Sequence, residues 1–131
     1  MMKALRHWLL LLPLVMASAP AVAVVTLVGT SALGGVNSAT FTINRPAGIV
    51  VGDVLLAVIS AKQGASARVI SAPAGWSSVV LTDAGSGEFR QQVFWKAVAA
   101  GDPASDSFTT SSSGRGAGIT CPFAGCCALE K

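Results

Sequence analysis

Glu88-Phe89-Arg90-Gln91-Gln92-Val93-Phe94-Trp95-Lys96-Ala97-Val98 alternates in the manner of an extended strand. Successive side chains of a β-strand point to opposite faces, so Phe89, Val93, Trp95 and Ala97 share one side and Arg90, Gln92 and Lys96 the other. The pattern predicts a half-buried strand, its aromatic side in the core and its charged side in water. Phe94 falls out of step, which a bulge or a partly covered outer face accommodates.

Upstream of that strand, Asp83-Ala84-Gly85-Ser86-Gly87 has hairpin-turn chemistry, because glycine adopts positive φ without penalty. Ser77 to Leu81 is extended before it, and Ala72-Pro73-Ala74-Gly75-Trp76 forms a tight corner that delivers an indole toward the core. Arg68 to Ser71 reads as a short strand after a polar break at Gly64 to Ala67. Val54-Leu55-Leu56-Ala57-Val58-Ile59 is continuously apolar and is expected to be a central strand covered on both sides. Asn44 to Asp53 turns through Pro46, Gly48 and Gly52. Ala39 to Ile43 and Val24 to Thr30 are two earlier strands. Downstream, Ala99 to Ser105 is a loop, and Asp106 to Ser112 is a strand carrying Phe108 inward. Short strands at roughly ten-residue spacing, separated by turn residues, predict an all-β antiparallel sandwich, Ig-like or jelly-roll-like.

The first residues carry an address. Lys3 and Arg6 precede the apolar run Trp8 to Met16, and small residues follow through Ala23. This is the order of a secretory signal peptide. Ala21 and Ala23 supply the small side chains for cleavage after Ala23, so residues 1–23 are expected to be removed and the protein exported to the periplasm, cell surface or medium. The apolar run is about half the twenty residues that a membrane span needs, so membrane contact is expected only in transit.

Removing Lys3 and Arg6 from nine Lys and Arg leaves seven against six acids, so the basic balance belongs mostly to the signal. Arg45, Lys62, Arg68, Arg90, Lys96 and Arg115 are singly spaced along the chain, unlike the clustered cations that capture nucleic acid, and no nucleic-acid partner is expected. About a hundred residues remain, enough for one domain.

Pro46-Ala47-Gly48, Gly52-Asp53-Val54-Leu55-Leu56-Ala57, Ala72-Pro73-Ala74-Gly75-Trp76, Val93-Phe94-Trp95-Lys96 and Pro103-Ala104-Ser105 before Phe108-Thr109 follow one another in a distinctive order. Together they resemble a β-sandwich module of large secreted or surface-displayed bacterial proteins, including Ig-like-repeat, adhesin-like and pilus-associated ones. The resemblance spans about Val36 to Gly118. It implies an extracellular structural or binding unit and carries over no catalytic residue.

After Gly118 the resemblance stops. Ile119-Thr120-Cys121-Pro122-Phe123-Ala124-Gly125-Cys126-Cys127-Ala128-Leu129-Glu130-Lys131 lacks the pattern of a final strand pair, so residues 24–118 are expected to form the module and 119–131 an aberrant tail, the product of a frameshift or early stop. A sandwich left incomplete in this way exposes an edge open to self-association, and the fragment reading allows for no function at all. Cys121 can form a disulfide with Cys126 or Cys127 in an oxidising compartment, whereas the three cysteines fit no zinc spacing. The simpler account makes all three products of the altered frame.

His7 lies in the signal segment, which leaves no histidine for Ser-His or Cys-His nucleophile activation. Asp53, Asp83 and Asp102 sit beside turn residues, where aspartate bonds its own backbone. Asp83, Glu88, Asp102 and Asp106 have no calcium-loop spacing. No catalytic group, metal or cofactor is therefore assigned. Trp76 and Trp95 have two readings: buried core packing, which their positions favour, or ring stacking on a sugar. The expected function is a non-enzymatic structural or adhesive module whose partner is a surface protein or glycan, with a carbohydrate-binding module as the alternative.

Overall fold

The computed structural model describes residues 24–64, 68–84 and 88–124. Seven strands run through them: β1 (Thr26–Leu27), β2 (Ser31–Asn44), β3 (Val54–Lys62), β4 (Ile70–Ser71), β5 (Ser77–Ala84), β6 (Phe89–Ala97) and β7 (Ser105–Ala124). Every pairing is antiparallel, in the order β1-β7-β3-β6-β5, with β2 and β4 also bonded to β7. Among the described residues there is no helix, and hence none long and apolar enough to cross a membrane. The fold is the predicted all-β antiparallel one. The expected signal segment and its cleavage residues Ala21 and Ala23 lie outside the described residues.

β7 builds both layers. Its first part pairs through Ser105 to Thr109 with Asn44 to Thr40 of β2, and through Thr109 and Thr110 with β4. Its later part pairs on one side with Ser31 to Ser38 of β2 and on the other with Val54 to Ala61 of β3. Between the two parts the β2 register jumps, Ser38 facing Gly114 and Thr40 facing Thr109, and the ribbon bends there. The bend brings Phe41, Ile43, Ile70 and Phe108 against Ala57, Ile59, Ala61 and Phe94 in one buried cluster. This is a sandwich core. Each fully buried large side chain, such as Phe41, Phe108 or Ile59, contributes roughly 1.5–3 kcal/mol.

Alternate glycines make the close packing possible. A Cβ at Gly116 would lie 2.5 Å from the Phe41 ring and 2.8 Å from the Ser60 carbonyl oxygen. At Gly118 it would lie 2.5 Å from the Ile43 side chain and 2.9 Å from that of Ile59. Gly114, Gly116 and Gly118 thus form a bare track on the inner face of β7, over which the second layer settles.

Several expectations need correction. The strand expected to end at Ser112, and the module expected to end at Gly118, both continue: Ile119 to Phe123 pair with Val58 to Val54, and Thr26 pairs with Ala124. β-branched and aromatic residues at 119, 120 and 123 suit a strand. The two expected early strands are instead a two-residue β1 and a fourteen-residue β2, which takes up Gly34-Gly35 in a register shift between Leu33 and Val36. β3 is central but fully covered on one side only: Leu55, Ala57, Ile59 and Ala61 are buried, while Val54, Leu56, Val58 and Ser60 are half-buried.

β6 is inverted relative to its prediction. Phe94 and Lys96 face the core, and Phe89 and Trp95 face out at 49% and 43% exposure. Phe94 wins the interior because Phe108 receives its ring at 5.5 Å. Lys96 follows it inward because its ammonium meets Asp102 at 2.8 Å. The irregularity lies in the neighbouring strand, between Ser78 and Val80 of β5. The expected turn glycines Gly85 and Gly87 and part of the break at Gly64 to Ala67 lie outside the described residues. Among the described residues β5 pairs with β6 alone, which leaves it as a sheet edge.

Candidate functional site

The acids are drawn into the scaffold. Asp53 is buried and its Oδ2 accepts from the Val50 amide at 2.9 Å, closing the turn before β3. Asp106, also buried, accepts from Arg45 Nε at 3.0 Å and from Trp76 Nε1 at 3.0 Å. Asp102 takes Lys96 Nζ on one oxygen at 2.8 Å, and on the other the Ala99 amide at 2.9 Å and Arg45 Nη1 at 3.5 Å. The Ala99 amide, then the Lys96 ammonium, hold the Asp102 carboxyl below the usual range. Asp102 and Asp106 therefore converge on Arg45, with their oxygens occupied by the corner they brace. A depression of about 350 Å³ beside them is lined by Arg45, Asp102 and the loop residues 98–104.

A second ionic group ties the opposite end. Arg90 donates from Nε and Nη2 to the two oxygens of Asp83, both at 2.7 Å, and from Nη1 to the Arg68 carbonyl. Gln63 Nε2 donates to Asp83 Oδ1 at 2.8 Å, while its Oε1 accepts from the Arg68 amide. The Arg90 guanidinium pulls the Asp83 carboxyl down, and Asp83 raises Arg90 in turn. Among the described residues no group of three His, Cys, Asp or Glu side chains is arranged to hold a metal ion.

The two indoles part company. Trp76 is half-buried, edge-on to Phe108 with ring centroids 5.1 Å apart, and its N–H is spent on Asp106. Gly75 makes this corner possible: its φ is +87°, and a Cβ there would press on the Lys96 side chain at 3.3 Å. Trp95, expected in the core, instead stands on the outer face of the sheet, paired across to Leu56.

That outer face is unusually apolar. Val58 pairs with Val93 and Ile119, and Leu56 with Trp95 and Cys121, so these side chains share one side of β3, β6 and β7. An antiparallel sheet with one face in water ordinarily carries polar residues there. Ser60 and Gln91 form the next row and are hydrogen-bonded at 3.2 Å. They border a depression of about 300 Å³ with Val58, Ala117 and Ile119. Beyond them stand Lys62, opposite Phe89, and Arg115 on β7, both exposed.

The unbroken apolar run 54–59 signals two apolar faces, of which the structure fully covers one. Nothing along the chain announces that Lys62 and Arg115 stand at the same end of the β3–β7 pairing, because 53 positions of sequence separate them and only the register, which ends at Ala61–Gly116, brings them near. Cys121 is half-buried on β7, and its expected partners Cys126 and Cys127 lie outside the described residues. No protein-family model, curated protein or solved structure matches the chain.

Proposed function

We propose that this chain is a non-enzymatic adhesive module of an exported protein, and that it engages its partner through the outer face of the sheet formed by β3, β6 and β7. The observation that carries this reading is the exposed Trp95 set among Leu56, Val58, Val93 and Ile119, where solvent alone would favour polar residues. The engagement of Asp53, Asp83, Asp102 and Asp106 in turns and ion pairs supports a structural rather than a chemical use of the acids.

A narrower reading, a carbohydrate-binding module, is favoured by one arrangement: an accessible indole on the same face as the Ser60 and Gln91 polar groups, with the Val58–Val93 row between them. Indoles offer a flat apolar surface to a sugar ring, while hydroxyl and amide groups satisfy its hydroxyls. Native affinity electrophoresis of the full chain in gels containing soluble polysaccharides tests it. Retardation that Trp95→Ala abolishes and Trp76→Phe preserves is the expected result. Equal mobility in every polysaccharide, with and without Trp95, rejects the sugar reading.

A further inference from the structure

We infer that the ligand of this face is an acidic polysaccharide, a chain bearing carboxylate or sulfate groups that runs along β6 from Trp95 to the corner formed by Lys62 and Arg115. The inference rests on the sugar reading above and adds to it the charge of the ligand.

Its ground is an imbalance of charge. Arg45, Arg90 and Lys96 each meet a carboxylate within 4 Å. Among the described residues Lys62, Arg68 and Arg115 meet no carboxylate, but Arg68 is half-buried and donates to the Ser113 carbonyl, whereas Lys62 and Arg115 are exposed. The register brings them close: the β3–β7 pairing ends at Ala61–Gly116, and Lys62 and Arg115 are the next residues past it on the two strands, in step with the outer face. Like charges on adjacent strands oppose sheet formation, and an anion lying between them removes that penalty. The outer-face rows from Phe89–Lys62 through Gln91–Ser60 to Trp95–Leu56 contain no acid.

Spacing fits a linear chain. From Phe89 to Trp95 is six residues of strand, about 20 Å at the rise of an antiparallel strand. Along that line stand an indole, a Val93–Val58 row, an amide–hydroxyl pair beside a shallow depression, and then a phenyl ring with two cations. Rings to stack on, groups to bond hydroxyls and charges for anions thus follow in one row. A lipid surface would leave the Ser60 and Gln91 polar groups facing hydrocarbon. Nucleic acid draws its affinity from many phosphate contacts, and two unpaired cations supply few.

The test uses the full chain in native affinity gels containing polygalacturonate or a neutral β-glucan, with phosphatidylglycerol vesicles and duplex DNA as separate arms. Polygalacturonate is expected to retard the protein, less so at high salt, and the Lys62→Gln/Arg115→Gln variant to bind about tenfold more weakly at unchanged melting temperature. Because both side chains are exposed, that variant is expected to fold, and single substitutions serve in its place otherwise. Retention by the neutral glucan equal to that by polygalacturonate, or an undiminished double variant, overturns the acidic ligand and leaves the sugar reading standing. Binding to vesicles or DNA alone, or to none of the four, overturns both.

Discussion

Gly116 carries more of this fold than its missing side chain suggests. A methyl group there meets both the Phe41 ring and the Ser60 carbonyl oxygen, and the backbone atom has no freedom to withdraw. Gly116→Ala is expected to cost about 1–3 kcal/mol by overpacking, measured as a lower midpoint in urea unfolding. Gly34→Ala is the control: a Cβ there meets nothing within 4 Å, and its midpoint should hold or rise by a few tenths of a kcal/mol. Asp106 is the polar counterpart. Asp106→Ala leaves Arg45 with only its longer contact to Asp102 and leaves the Trp76 N–H without its acceptor, a loss of about 2–3 kcal/mol. Chemical denaturation monitored by tryptophan fluorescence checks it.

At the scale of the element, β6 shows how far the sequence could be read. Its extended character was plain from the alternation, and the corner at Gly75-Trp76 was legible from its proline and glycine. Its facing was not. Four apolar residues on the odd positions outvoted Phe94, and no local pattern reveals that Lys96 has a carboxylate waiting inside, since Asp102 arrives from the following loop. β7 runs past its expected end because its glycines serve the packing: Gly114, Gly116 and Gly118 let another layer approach. The candidate surface was half legible: Trp95 stood out, but the sequence placed it inside. The inversion has a measurable outcome. Trp95→Ala should change stability by less than about 1 kcal/mol, whereas Trp76→Ala, which opens a gap beside Phe108, should cost about 3 kcal/mol. Thermal melts of the two variants distinguish them.

Taken as one body, the molecule is polarised along its sheet. Lys62, Arg68, Arg90 and Arg115 gather toward one end with Asp83 and Glu88, while Asp53, Asp102 and Asp106 gather toward the other with Arg45 and Lys96. The same ion pairs set the acid limit. The carboxyls of Asp83 and Asp102 have folded-state values below their unfolded ones, so their contribution is complete above the ordinary aspartate range and is lost as pH falls through the depressed values. Melting temperature is therefore expected to be level from neutrality down to about pH 5 and to fall below about pH 4. A melt series across that range, repeated with Asp83→Asn and Asp102→Asn, should show a shallower acid decline in each variant.

Thr26 and Ala124 are cross-strand partners, so the described fold begins and finishes at one spot. Tension applied through those two points would load the β1–β7 pairing one hydrogen bond at a time, peeling it like a zip rather than shearing many bonds at once. In a larger protein the sandwich would hang from the main chain as a pendant, attached at that one spot.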